Sequence, residues 1–427
     1  MFDAVKILAH YLRFRHTHPL NEFELRSWQN QMIQKQLLFI QQNSPFYQQY
    51  AGASLTELPI MDKTKMMAHF NDLNTVGLDR DEAKAFATQS ERTGAFAPKL
   101  KGITIGLSSG TSGNQGIFLI SEAEKVEWAG YILAHFLPNP IWRKNVVAFF
   151  MRANSNLYEA IGSQQIKFIF CNIFSGVETY LSTLNKEQPN LLVGQPSVLL
   201  ELAQAQREKR LQIKPQKVIS IAEVLEAEDA MIIKEAFAVS VVHQVYQCTE
   251  GLLAKTCDYG TLHINEDIVF IEEERIDEER FIPIITDFRR RAQPIIRYRL
   301  NDILVKKQTI CPCGSPHLAL AKIEGREDDV FFFESEQGFV KIYPDFIRRC
   351  LLFVEGITAY RVVQINAHSV TIYIDAEPET QELIRTEFDK LAKARCCRCP
   401  DITFEAYQIE KGRKLKRVAS HFSVSVI

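Results

Sequence analysis

Leu107-Ser108-Ser109-Gly110-Thr111-Ser112-Gly113-Asn114-Gln115-Gly116 is the stretch from which the rest of the chain is read. It crowds small, hydroxyl-bearing and glycine residues into one loop after Ile103-Thr104-Ile105, and apolar positions resume at Ile117, Leu119 and Ile120. Glycine has no Cβ, so backbone N–H groups in such a loop can close on a phosphate. The hydroxyls of Ser108, Ser109, Thr111 and Ser112 add donors. The loop therefore points to a nucleoside triphosphate. It is not a Walker A loop, because no Gly-Lys-Ser/Thr closes it. Its glycines are spaced G-x-x-G-x-x-G, not as in a dinucleotide fingerprint. It is not a G-x-S-x-G nucleophile elbow. An ordinary Ser/Gly turn between two strands has the same composition, so other parts of the chain must decide.

A chain of 427 residues is too long for one ordinary core, and two or three domains are expected. Apolar residues make up 46% and charged residues 24%, which are globular values. The formal net charge of −2 argues against nucleic acid or an anionic membrane as the main partner. No apolar run approaches the roughly 18–20 residues that span a bilayer. Residues 1–20 hold only the short Ile7-Leu8-Ala9 run and lack a small-residue cleavage site, so no signal peptide is expected. Nine cysteines, an odd number without a secretory signal, fit a reducing cytoplasm with some thiols free for metal.

Leu25, Trp28, Met32, Leu37, Leu38 and Ile40 predict a helix within 22–50, ended by Pro45, and Asp62 is placed to cap the next one. From residue 146 strands and helices alternate. Strands are predicted at 146–151, 166–170, 191–194, 218–222 and 240–245, and helices at 197–211 and 227–236. That alternation predicts α/β layers on a largely parallel sheet. After about 260 the texture is β-rich, with short strands at 262–264, 268–272, 281–286 and 295–298. Beyond 330 lies a small α+β module with strands at 330–333, 359–365, 370–375 and 402–408 and helices at 344–353 and 380–394. The expected architecture is α/β with an α+β tail. Residues 1–327 form a large N-terminal domain with a β-rich subdomain, and 328–427 form a small C-terminal domain.

Ser220-Ile221-Ala222-Glu223 and Tyr246-Gln247-Cys248-Thr249-Glu250-Gly251 both sit at the ends of predicted strands. Ligands of open α/β sheets gather outside the carboxyl ends of strands. There Thr249 and Glu250 could hold Mg²⁺ on a triphosphate through oxygen. The plain alternative is a solvated strand end. Thr286-Asp287 leads on to Arg297-Tyr298-Arg299-Leu300-Asn301-Asp302. A carboxylate can accept ribose hydroxyls and a guanidinium can hold phosphate, although an exposed turn would carry the same charges. Gly325-Arg326-Glu327-Asp328-Asp329 follows, and far downstream comes the basic run Lys411-Gly412-Arg413-Lys414-Leu415-Lys416-Arg417, which alone reads as a solvated tail.

The order of these elements resembles the adenylate-forming superfamily, and most of all its phenylacetate–CoA ligase branch. Leu58-Pro59-Ile60-Met61-Asp62-Lys63-Thr64, Pro294-Ile295-Ile296-Arg297-Tyr298-Arg299 and Cys311-Pro312-Cys313-Gly314 support that branch. The resemblance runs from about residue 30 to the C-terminus. It implies a large N-terminal domain, a small mobile C-terminal domain, and a first step that turns ATP and a carboxylic acid into acyl-AMP and pyrophosphate with Mg²⁺. On this resemblance Ser108, Ser109, Gly110, Thr111, Ser112 and Gly113 match the triphosphate loop, and Ala222 and Glu223 the adenine-side strand. Tyr246 opens the Tyr-x-x-Thr-Glu element, whose Thr249 and Glu250 match the phosphate and Mg²⁺ pair. Asp302 matches the ribose ligand and Arg326 the nearby arginine. Asp328 falls at the hinge, and Lys414 matches the catalytic lysine. The chain departs from the pattern in three places. No lysine follows the glycine loop. Arg413 stands where the family has glycine, so Lys416 rivals Lys414. Phe331-Phe332-Phe333-Glu334-Ser335-Glu336-Gln337-Gly338 replaces a glycine-rich segment that helps admit the CoA thiol in relatives. The expected acceptor is CoA. A carrier protein, an amine or a hydroxyl is the alternative, and a non-catalytic nucleotide-binding regulatory protein is the rival from another class. A homodimer is left open.

The chemistry suits these residue types. A carboxylate is a poor electrophile because oxide would have to leave. Attack of its oxygen on the α-phosphorus turns that oxygen into a good leaving group. Charge spreads over phosphate oxygens in the transition state, so positioned donors and cations carry the catalysis. Lys414 would bridge carboxylate and α-phosphate as a point charge. Cys311 and Cys313, with Cys257 and His263 upstream, are of the Cys₃His type common in closed structural zinc sites, and the branch often carries such a cluster here. Cys396-Cys397-x-Cys399 has no nearby histidine and reads as surface thiols. Phe149, Phe150, Met151, Asn154, Asn156, Tyr158, Phe168, Phe170 and Phe174 lie where the branch builds its acyl pocket. They suit an aromatic acid, unless they are simply strand core.

Overall fold

The computed structural model describes residues 2–16, 21–93, 99–107, 116–151, 165–352, 354, 357, 359–408 and 416–422. The chain divides into two compact units. The first comprises Met1–Glu274, Pro283–Leu300 and Lys306–Ala321, and the second Arg275–Ile282, Asn301–Val305 and Lys322–Ile427. The architecture is the expected α/β with an α+β tail.

A mostly parallel sheet forms the centre of the first unit. Its strands run in the spatial order Ile166–Asn172, Asn145–Met151, Leu191–Gly194, Lys217–Ile221, Val242–Cys248, Gly251–Thr256 and Leu262–Ile264. The first five pair parallel and the last two continue antiparallel. The chain steps outward from Asn145–Met151 to Ile166–Asn172 and then returns to the opposite side of Asn145–Met151. The sheet therefore has a switch point there, where open α/β sheets form their crevice. Both faces are covered. Val147, Phe149, Leu191, Val193 and Ile219 pack on the side of helices Phe2–His16 and Glu122–Phe136. Ala148, Phe150, Leu192 and Val218 pack on the side of Pro196–Arg207 and Ala227–Phe237. Strands buried on both faces read as continuous apolar runs, which is why these were visible in the sequence.

Among the helices of the described residues that the sequence did not lead one to expect are Phe2–His16, Arg80–Thr93 and Glu122–Phe136. Ser121 and Glu124 form a capping box that starts the last of these. Helix Phe2–His16 lies against it at Gly130, where a Cβ would come within 2.4 Å of the His10 Cβ. Glycine permits that approach. Tyr11 and Phe14 are buried, and the Phe14 ring meets the Tyr131 ring edge-on at 5.1 Å.

Ile103–Leu107 and Ile117–Ile120 pair antiparallel, with Leu107 opposite Ile117, so they bring the two ends of the glycine-rich loop together. Asp62 caps the next helix as expected, accepting from the Lys65 N–H at 2.8 Å. The predicted strand at 295–298 shrinks to Tyr298–Arg299, because Arg297 takes a positive φ of 44°.

In the second unit Asp401–Glu405, Ser369–Ile374, Tyr360–Asn366 and Val418–Ser420 form a four-stranded mixed sheet in that order. Helices Pro344–Leu352 and Pro378–Ala394 contribute Ile347, Leu351, Ile384 and Phe388 to its core. Phe331–Ser335 and Gly338–Ile342 make a hairpin. The thiols of 396–399 are not all on the surface. Cys396 is exposed, but Cys397 and Cys399 are half-buried against this core, and burial pushes the Cys399 thiol up to about 12.

Candidate active site and metal centre

Lys217–Ile221 and Val242–Cys248 are parallel neighbours, with Ile221 opposite Val245. Their register sends Ala222-Glu223 and Thr249-Glu250 out of the same edge of the sheet. Ala222 takes a φ of 67°, a left-handed conformation that costs a residue with a Cβ about 1 kcal/mol or more. The Glu223 carboxylate accepts from Ser197 Oγ at 3.1 Å, on the first turn of Pro196–Arg207. Tyr246 is buried in its strand. Thr249 and Glu250 make the turn into Gly251–Thr256. Arg290 holds that turn, donating Nη1 to the Thr249 carbonyl at 3.1 Å and Nη2 to the Leu119 carbonyl at 3.2 Å. The same guanidinium thus joins the Thr-Glu turn to the strand that follows the glycine-rich loop. Tyr298 is buried near the Glu250 carboxylate, and burial and that charge push its phenol well above the ordinary range. Neither Arg290 nor Tyr298 was expected beside these residues. Tyr298 lies in a motif that the sequence displays, but nothing local signals Arg290.

Asp287 is buried beside this turn, and a Cβ on Gly251 would stand 3.0 Å from its Oδ2. Its Oδ1 accepts from the N–H groups of Arg289 at 2.7 Å and Arg290 at 3.2 Å. Burial nevertheless pushes the carboxyl up to about 6. The folded protein therefore takes up this proton at a higher pH than the unfolded chain, whose aspartate titrates near 3.9. Stability from this group rises as pH falls through about 6 and levels off near 4. Between pH 7.5 and 4.5 the wild type should gain about 2 kcal/mol relative to Asp287→Asn. Urea denaturation of both proteins across that range measures it. Parallel pH profiles would contradict the assignment.

In the second unit Asp302 and Arg326 are brought together, with Arg326 Nε 3.7 Å from Asp302 Oδ1. Asn301 Nδ2 donates to Asp328 Oδ2 at 2.8 Å. Asp329 is buried, and Lys416 Nζ lies 2.5 Å from its Oδ1. Burial raises the Asp329 carboxyl, and Lys416 opposes that rise. Ser108, Ser109, Gly110, Thr111, Ser112, Gly113 and Lys414 lie outside the described residues.

The four expected metal ligands converge. The ligand atoms of Cys257, His263, Cys311 and Cys313 all lie within 4.8 Å of one another. Cys257 Sγ is 3.7 Å from Cys311 Sγ, and Cys313 Sγ is 3.4 Å from His263 Nε2. Tetrahedral zinc, with Zn–S about 2.3 Å and Zn–N about 2.0–2.1 Å, sets its sulfurs roughly 3.8 Å apart and sulfur to nitrogen roughly 3.5 Å apart. The other ring nitrogen, His263 Nδ1, is 3.0 Å from the His317 carbonyl. A proton on Nδ1 donated there leaves Nε2 bare toward the thiols. Burial alone would raise the Cys311 thiol. Hydrogen bonds with Thr261, with the Cys313 backbone and with His263 lower it instead, while burial and the neighbouring thiols raise Cys313, so the negative charge falls on Cys311. The donor set fits a zinc ion.

The aromatic cluster expected to line an acyl pocket is split by the pleat of the sheet. Phe149 packs on the side of Glu122–Phe136 and meets Phe168 at 5.5 Å. Phe150 faces the opposite layer and meets Tyr180 at 6.0 Å. Phe174 is 61% exposed. Phe149 and Phe150 therefore cannot line one pocket. Asn154, Asn156 and Tyr158 lie outside the described residues.

No protein-family model matches the chain. Over 372 residues it is 27% identical to the indoleacetate–lysine synthetase of Pseudomonas savastanoi, covering 82% of this chain and 87% of that protein. Over 168 residues it is 26% identical to the phenylacetate–coenzyme A ligase of Thermus thermophilus, covering 33% of this chain and 36% of the ligase. Among solved structures, a 2-hydroxyisobutyryl-CoA ligase in its postadenylation state superimposes with a TM-score of 0.67 at 17% identity, covering 96% of this chain and 91% of that one. No helix among the described residues is long and apolar enough to cross a membrane. The chain has the fold of the adenylate-forming ligases, and its sequence relatives include a phenylacetate–coenzyme A ligase and an indoleacetate–lysine synthetase.

Proposed function

We propose that this protein activates a carboxylic acid, with ATP, as an acyl-adenylate and passes the acyl group to a second substrate. The observation that carries this reading is the parallel register that sends Ala222-Glu223 and Thr249-Glu250 from the carboxyl ends of neighbouring strands, one strand away from the switch point of the sheet. Ser108 to Gly113 cradle the triphosphate. Thr249 contacts phosphate. Glu250 holds Mg²⁺, which neutralises charge on the phosphates. Ala222, Glu223 and Tyr246 border the adenine, and Asp302 and Arg326 bind the ribose. Zinc at Cys257, His263, Cys311 and Cys313 is structural, since four protein ligands leave no open position. Residues 328–427 act as the mobile domain, with Asp328 at the hinge and Lys414 as the lysine delivered to the acid and the α-phosphate.

CoA is the first acceptor to test, in line with the ligase relative. An amine is the second, favoured by the indoleacetate–lysine synthetase because that match spans 82% of the chain. Purified protein would be incubated with ATP, Mg²⁺ and a panel of aromatic and aliphatic acids, with CoA, lysine or neither. Acid-dependent pyrophosphate release is the expected result, with acyl-CoA or acyl-lysine identifying the acceptor. No release with any acid would leave a nucleotide-binding protein without this chemistry.

The two lysines separate by what each supports. Lys416 neutralises a buried carboxylate, so Lys416→Ala should cost about 1–3 kcal/mol of stability while adenylation per folded molecule persists. Lys414→Ala should abolish acyl-AMP formation at unchanged melting temperature, yet still let supplied acyl-AMP be consumed. The opposite pattern would make Lys416 the catalytic lysine.

A further inference from the structure

Helix Phe2–His16 carries two apolar faces. Ile7, Tyr11 and Phe14 are buried on the first. Val5, Leu8 and Leu12 recur three and four residues apart on the second, and that face is open to solvent: they are 64%, 42% and 41% exposed. A single exposed aliphatic residue is ordinary, but three in one line on a helix that already packs through its other face form a surface with a use.

Cations border this stripe. Lys6 and Arg13, seven residues apart, flank one side, and Arg15 lies seven residues beyond Leu8 on the other; all three are exposed. Arg13 Nη2 is 2.6 Å from Glu127 Oε1, but the same oxygen is 3.5 Å from Arg289 Nε, so two guanidiniums share one carboxylate. Arg15 donates Nη1 to the Ala134 carbonyl at 3.4 Å, a neutral partner that leaves its charge in place. Asp3 is the only acidic residue of the helix, and helical spacing sets it on the side of Ile7, away from Val5, Leu8 and Leu12.

The patch continues onto the loop before Asn145–Met151. The Trp142 ring meets the Tyr11 ring edge-on at 6.4 Å, and Trp142 is 62% exposed. Arg143 and Lys144 follow it, both exposed. An aliphatic stripe, an open indole and flanking cations are the combination that settles at the boundary of water and lipid. The aliphatic groups enter the acyl chains, the indole lies at headgroup level, and long cationic side chains reach anionic headgroups. The whole chain carries a net charge of −2, so any such attraction is local to this face. A second copy of the same face would set Lys6, Arg13 and Arg15 against their own counterparts, which like charge opposes.

We propose that the outer face of helix Phe2–His16, together with Trp142, is a docking surface for a membrane rich in anionic lipid, on which the protein lies without crossing it. Insertion is shallow, so attachment is reversible and falls as salt screens the cations. It does not depend on the adenylation chemistry.

The full chain would be sedimented with vesicles of phosphatidylcholine alone and of an equimolar mixture with phosphatidylserine, and the bound fraction measured against lipid concentration. Binding to the mixed vesicles is expected, with little to phosphatidylcholine alone and release at about 0.5 M salt. Leu8→Asn should weaken binding about tenfold by removing an aliphatic side chain from the inserted stripe. Lys6→Ala should weaken it about fivefold by removing one cation from the anionic surface. Both residues are exposed, so the melting temperature should hold; Leu12→Asn and Arg143→Ala repeat the test should either variant fail to fold. Absence of binding to the mixed vesicles overturns the proposal, and so does binding that Leu8→Asn leaves unchanged. Retention on immobilised polyglutamate without lipid binding would assign the face to an acidic protein. A dimer that Leu8→Asn dissociates, again without lipid binding, would assign it to a second copy. Either result also overturns the proposal.

Discussion

Glu250→Gln is expected to lower acid-dependent pyrophosphate release by roughly 10²–10³-fold. The substitution keeps the shape of the side chain and removes its charge. Glutamine presents one neutral oxygen where the carboxylate offers two charged ones, and a hard dication prefers charged oxygen. The turn itself should survive, because Arg290 holds it through the Thr249 carbonyl and not through the carboxylate. The melting temperature should therefore stay close to that of the wild type while the rate falls. The defect should lie in turnover more than in ATP binding, since the cation neutralises charge that builds up on the phosphates during transfer. Stopped-flow or coupled pyrophosphate assays across ATP concentration separate the two. Turnover within twofold of wild type would remove Glu250 from the metal site.

The second large effect concerns the thiol cluster. Protein purified without chelator should carry about one zinc per chain by elemental analysis, and Cys311→Ser should carry far less. Loss of a structural metal belongs among the largest single-residue effects, on the order of 4 kcal/mol. For a unit of about 300 residues that is roughly 6 °C in melting temperature. Removal of the ion leaves three sulfurs and an imidazole crowded together, with Cys257 and Cys311 only 3.7 Å apart. A wild-type protein free of metal and fully stable to heat would refute the zinc assignment.

How far the fold could be read in advance depended on where each element's order came from. Leu191–Gly194 and Leu262–Ile264 were predicted to the residue, because short fully buried strands bounded by turns announce themselves as apolar runs. Helix Phe2–His16 was missed for the opposite reason. Its buried Ile7, Tyr11 and Phe14 alternate with exposed Val5, Leu8 and Leu12, so no single apolar stripe stands out. Residues 295–298 looked like a strand since Ile295 and Ile296 are buried, but the conformation of Arg297 breaks the run, and that conformation comes from Glu272 and the 56–58 carbonyls. The site residues follow the same division. Cys311 and Cys313 advertise a metal through local spacing, and the Thr249-Glu250 pair sits at a legible strand end. The hold of Arg290 on the Thr249-Glu250 turn joins residues far apart in sequence and left no trace in local pattern. Phe149 and Phe150 both fall where the resembled branch builds its acyl pocket, but as neighbours on one pleated strand they face opposite layers.

The docking of helix Phe2–His16 at Gly130 also sets an order in time. During synthesis the helix is made well before the segment 122–136 that covers Tyr11 and Phe14. At about 5–20 residues per second, more than a hundred intervening residues take roughly 6–25 s to add. Through that interval a segment rich in apolar side chains waits without the partner that buries Tyr11 and Phe14. The growing chain must therefore shelter these rings by transient local contacts or by a chaperone, and truncation before residue 136 should yield fragments that aggregate through this segment.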